Sequence, residues 1–141
     1  MANALSMNFK HLVSIGTIDI DYDTFKIILL GSGFVFSPTL HDELADVSAY
    51  ELDGVNGYTT GGATLAGQVV TRNDIDGRID ITWTNASWSA SGGPIGPAVG
   101  AIIYDDTVVN DPIVGFIDFG GSYTQADGGT AIVSAISLRL R

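Results

Sequence analysis

Carboxylates dominate the residues of this chain that could do chemistry, and they fall into three groups. Asp19, Asp21 and Asp23 stand at every second position, the spacing that opens a calcium-binding loop. An EF-hand loop continues with Gly at its sixth position, and here that position is Thr24. Alternation with Ile18, Ile20 and Tyr22 predicts instead a half-buried strand whose three carboxylates share one solvated face. Asp74-x-Asp76-Gly77 is the second group, and it coincides with a turn that wants Asp and Gly for backbone reasons alone. Asp105 and Asp106 with Asp111 form the third, read either as a clasp for a cation between subunits or as a polar hairpin loop. None of the three completes a ligand set, so no metal residue is assigned.

Nucleophilic and acid–base chemistry has less to work with. His11 lies in a strand-like N-terminal segment and His41 in a short helical one, each without a second His or a Cys nearby. Gly31-Ser32-Gly33 lacks the outer elements of a Gly-x-Ser-x-Gly elbow. The glycines at Gly61-Gly62 and Gly92-Gly93 lack the Lys-Ser/Thr of a phosphate loop, and are read as tight bends. Trp83 is in phase with Ile79 and Ile81 and belongs to a core face, whereas Trp88, among Ser and Ala in a loop-like stretch, keeps a sugar-stacking role open. No catalytic residue and no cofactor is assigned, and the expectation is a protein that is not an enzyme.

Short strands punctuated by turns would position these residues. Thr24 to Leu30 is apolar on both faces, so it should lie centrally or beneath a covering segment. Gln68–Asn73 and Arg78–Trp83 flank Asp74-Ile75-Asp76-Gly77 as a hairpin. Ala98–Tyr104 and Ile113–Phe119 form a second pair joined by residues 105–112, and a last strand runs from Thr130 to Leu138. The one helical candidate is Thr39–Asp46, with Thr39 as its cap, and strand is expected to resume from Val47 to Leu52. The count is about eight strands and at most one short helix, which predicts an all-β, antiparallel β-sandwich of jelly-roll-like type.

With 141 residues the chain suits one domain, and no linker divides it. We expect an N-terminal arm over residues 1–15, whose spaced apolar residues Leu5, Phe9 and Val13 are offered to a neighbour, and a single sandwich domain over residues 16–141. Six Lys and Arg against 16 Asp and Glu give a net charge of −10, which excludes the basic patch a nucleic-acid binder needs. The longest dense apolar run, Ile27–Leu30, is far too short for a spanning helix, and the N-terminus lacks the pattern of a signal peptide. Only 16% of residues are charged, against about 25% in ordinary soluble domains, which is read either as surface covered by other chains or as a well-filled β core with Gly and Thr on its outside. Phe34 and Phe36, set between Gly33 and Pro38 with both rings on one side, are the foremost candidates for that surface.

Two stretches carry a resemblance. Gly57-Tyr58-Thr59-Thr60-Gly61-Gly62, and the paired segments Ala101–Thr107 and Pro112–Gly120, resemble a family of small all-β virion structural proteins of tailed bacteriophages. The likeness covers roughly Asp19 to Gly121 and contains no catalytic signature. It implies a capsid decoration, or cement, protein on the capsid exterior of the virion, assembled in the host cytoplasm. Its implied partners are the major capsid protein and a second or third copy of itself, as a homodimer or homotrimer, with neither nucleic acid nor membrane. The alternative is a receptor- or glycan-binding β module of a tail or head fibre.

Overall fold

A strand apolar on both faces must be covered on both, and Phe25–Gly31 lies between two hydrophobic cores for that reason. The computed structural model describes residues 3–141. In chain order its elements are β1 (Ala4–Leu5), α1 (Met7–Ser14), β2 (Phe25–Gly31), β3 (Ala63–Thr64), β4 (Val69–Asn73), β5 (Arg78–Thr82), β6 (Ala86–Ser89), β7 (Ile95–Asp105), β8 (Ile113–Gln125), β9 (Thr130–Val133) and β10 (Ser137–Leu140). Two 3-10 turns, Leu44–Asp46 and Ser48–Tyr50, stand between β2 and β3. The ten strands form an all-β sandwich of antiparallel sheets ordered β1-β8-β7-β2-β3, β10-β5-β4 and β6-β9.

Alternation along the five-stranded sheet sorts its side chains to two cores. Phe25, Ile27, Leu29, Ala101, Ile103 and Ile117 point to one face, where the two smaller sheets bring Ile81, Trp83, Trp88, Val133 and Leu138 against them. Ile28, Leu30, Ile102, Tyr104 and Phe116 point to the other, under Phe34, Phe36 and Val47 of the segment after β2. The phase survives a bulge in β8: Tyr104 pairs with Ile113 and Ile103 with Gly115, so Val114 is the extra residue. Without that insertion Ile113 and Phe116 would fall on opposite faces.

Several expectations are corrected here. Residues 3–15 of the expected arm pack against the rest of the chain, because α1 buries Phe9 completely and β1 pairs with β8 at Ala4–Phe116; residues 1 and 2 of it lie outside the described residues. Leu5 and Val13 also pack into the first core. Phe9 and Val13, four apart, share one face of α1, while Leu5 lies ahead of the helix in β1. Phe34 and Phe36 do share a side, but it is the inward one, leaving Val35 65% exposed. Alternation fixes which residues lie together, and the phase relative to the core depends on what covers the sheet. Phe36 stacks on Phe116 at 5.6 Å and Phe34 lies 5.7 Å from the same ring. Space for Phe116 comes from Gly100, where a Cβ would run into the ring.

The segment 39–52 is neither helix then strand. Asp46 Oδ2 accepts the N–H groups of Asp42 and Glu43 and so closes a 3-10 turn in place of an α-helix capped by Thr39. Residues 19–23 form a turn in place of the expected strand, and the terminal strand is broken between β9 and β10 at Ala135, whose φ is +53°.

Candidate functional site

The central sheet has an edge that stops short, and the Gly57–Gly62 segment completes it. β3 pairs with β2 only at Lys26 and Ile27, so the next strand positions need other partners. Leu29 offers its N–H to the Tyr58 hydroxyl at 3.1 Å and its carbonyl to the N–H of Leu52 at 3.1 Å. The Tyr58 hydroxyl in turn donates to Glu51 Oε1 at 2.8 Å, and the same oxygen accepts the N–H of Gly61 at 2.8 Å. From β7, the Tyr104 hydroxyl donates to the carbonyl of Gly61 at 2.7 Å.

Only a backbone free of side chains can sit this close. Gly62 has φ +77° and a Cβ there would collide with the carbonyl of Ile27; Gly57, at φ +96°, would collide with that of Ser89. Tyr58 is 3% exposed and tilts against Trp88 at 5.4 Å. Burial pushes the phenols of Tyr58 and Tyr104 far above the usual tyrosine range, so both serve as neutral hydrogen-bonding groups. This constellation orders backbone and holds no group poised as a nucleophile or base.

A second polar centre lies at the other end of β2. Asp105, fully buried, faces Phe25 across the β2–β7 pair and approaches the carboxyl of Asp23. Its Oδ1 accepts the N–H groups of Thr107 at 2.8 Å and Val108 at 3.2 Å. Asp106 instead turns to Lys26, with Nζ 3.7 Å from its carboxylate. The expected trio Asp105, Asp106 and Asp111 therefore does not converge, and among the described residues no group of three or more His, Cys, Asp or Glu is placed to hold a metal ion.

The remaining sequence candidates are all absorbed by local structure. Asp19 Oδ1 accepts the N–H of Asp21, and Asp23 Oδ2 accepts that of Asp19, so these carboxylates cap their own turn. Asp76 accepts from Asn73 and pairs with Arg78 at 3.3 Å in the β4–β5 turn. His41 Nδ1 accepts the N–H of Ser37 at 3.0 Å, beneath Phe34, while His11 lies exposed on α1. Trp88 is 6% exposed in β6 and alternates inward, which removes it as an open stacking platform.

No family model, curated protein or solved structure matches this chain. The geometry has to speak for itself.

Sequence reasoning missed Glu51 and Asp23 as members of polar centres. Glu51 could not be singled out because its partners lie 7 and 10 residues ahead and act through a phenol and a backbone N–H. Among the described residues no helix is long and apolar enough to cross a membrane. One further feature bears on binding: a cleft of about 570 Å³ opens between β8 and β9, with Trp88, Ile117, Phe119, Tyr123 and Ile132 among its walls.

Proposed function

We propose that this protein is a bacteriophage capsid decoration protein, a structural clamp on the outside of an assembled head. The observation that carries this reading is where the motif residues lie. Tyr58, Gly61, Gly62, Tyr104, Asp105 and Thr107 are all engaged in holding segment to segment, which is the role such residues have in a building block. A net charge of −10 favours contact with protein over contact with packaged DNA. The partners in this reading are the major capsid protein and further copies of the chain, in a homodimer or homotrimer at a symmetric lattice position.

The side chains offered to those partners differ from the buried Leu5, Phe9, Phe34 and Phe36. Val35 at 65%, Leu40 at 74%, Val109 at 82% and Ile75 at 97% exposure are the apolar groups that protrude. Purified protein should co-sediment with assembled heads that lack it and raise the temperature at which they open, by mass action on the bound state. Leu40→Asp should abolish co-sedimentation while leaving the unfolding midpoint unchanged.

One observation favours a fibre module that binds a receptor or glycan. The β8–β9 cleft combines aromatic walls at Phe119 and Tyr123 with polar groups at Asp118 and Thr130. Failure to bind heads, together with loss of host adsorption on Tyr123→Ala, would select this reading and discard the first.

A further inference from the structure

Two carboxyl groups held face to face without a donor between them are electrostatically incomplete. Asp105 lies fully buried at the end of β7, and its Oδ2 has no hydrogen-bond donor. What it meets is the carboxyl of Asp23. Neither residue is free to withdraw. The N–H of Asp106 bonds the carbonyl of Thr24 at 2.9 Å, and the N–H of Thr24 bonds the hydroxyl of Thr107 at 2.8 Å. Asp23 is further tied through its own N–H to the carbonyl of Asp19 at 2.9 Å, and its carbonyl accepts from Gln68 Nε2 at 2.9 Å. The loop of residues 17–24 and the turn of residues 105–111 are thus stitched together with a pair of acids at the seam.

We propose that Asp23 and Asp105 share one proton, and that this proton is the latch of a pH-sensitive clasp between the two loops. A metal ion is the poorer occupant, because two carboxyls without a third acidic or imidazole ligand make a weak divalent site. The surrounding charges are Asp19 and Asp21 on the loop, Asp106 and Asp111 on the turn, and Lys26 on β2. Lys26 is engaged with Asp106, and among the described residues no ion pair involves Asp23 or Asp105. Burial, and then the hydrogen bond with Asp23, push the Asp105 carboxyl up to about 7.

The sign follows from linkage. In the unfolded chain an Asp ionises near pH 4, whereas Asp105 in the folded chain keeps its proton to about pH 7. Between those values the folded state binds more protons, so stability is greatest at the acid end and falls as pH rises, levelling off above the folded value. One such proton changes the folding equilibrium by up to about tenfold per pH unit across the window.

The test compares wild type with Asp105→Asn. Asparagine keeps an oxygen for the Thr107 and Val108 N–H groups and supplies a permanent N–H to Asp23. Urea unfolding from pH 5 to pH 8.5 should show wild type losing stability by at least tenfold in its folding constant relative to Asp105→Asn. The variant should be the more stable protein at pH 8.5. In wild type alone, carbon-detected NMR of the side-chain carboxyls should show Asp105 titrating in a step near neutrality. Asp105 titrating fully below pH 5, or an Asp105→Asn variant that runs parallel to wild type at every pH, would overturn the proposal. So would abolition of the wild-type pH dependence by millimolar calcium, which would put a cation in the seam.

Discussion

Removing one hydroxyl tests the account of the Gly57–Gly62 segment most directly. Tyr58→Phe keeps the ring against Trp88 and deletes only the oxygen that accepts the Leu29 N–H and donates to Glu51. Leu29 lies in the buried centre of β2 and is 2% exposed, so its N–H is left without water or partner. An unsatisfied buried donor of that kind costs about 1–3 kcal/mol. Glu51 keeps the Gly61 N–H at 2.8 Å, so its carboxylate is weakened rather than stranded, adding about 1 kcal/mol. The expected loss is about 2–4 kcal/mol, or a fall in Tm of roughly 7–14 °C for a chain of this length. Urea unfolding followed by Trp fluorescence should show a lower midpoint with an unchanged slope, since the surface exposed on unfolding is the same. A double-mutant cycle with Glu51→Ala should return a coupling of about 0.5–3 kcal/mol. A loss below about 0.5 kcal/mol for Tyr58→Phe would refute the idea that this phenol completes the sheet edge.

Two more outcomes follow from the same geometry. Gly62→Ala forces a Cβ into the Ile27 carbonyl and should cost roughly 3 kcal/mol or more, whereas Gly16→Ala, at φ +79° in open space, should cost only about 1 kcal/mol; thermal melts of the pair separate collision from backbone strain. Phe9→Ala and Phe36→Ala should each lose about 3–5 kcal/mol in urea unfolding without any partner present, and values under about 1 kcal/mol would restore them as exposed contact residues.

How far the sequence leads depends on whether a signal is local. The β4–β5 hairpin was legible to within a residue because Asp74–Gly77 supplies its own turn chemistry. The central place of β2 was legible from apolar residues on both faces, and Trp83 from its phase with Ile79 and Ile81. β7 and β8 were found but foreshortened, because Gly96-Pro97 and Gly120-Gly121 read as ends where the strands run on to Ile95 and Gln125. α1 was missed although Phe9 and Val13 already carry its period, since no side chain caps it and no acidic residue stands in its first turn. Of the two polar centres, the Gly57–Gly62 motif stood out as a pattern, yet its partners Glu51, Leu29 and Tyr104 are joined only by the fold. Asp23 and Asp105 are 82 positions apart in the sequence, and no local pattern can pair them.

The pairing of β1 with β8 sets a schedule for folding. Ala4 finds its partner at Phe116, and β10 joins β5 across Ser137 and Thr82, so β1 cannot settle until Phe116 has emerged from the ribosome, nor β5 gain its β10 neighbour until Ser137 has. Until then Leu5 and Phe9 travel as exposed apolar residues beside an unpaired strand edge, the condition under which chains associate wrongly. β1 therefore becomes native only after β8 has been made, and the yield at high expression should depend on temperature and chaperone supply more than on the stability of the finished fold.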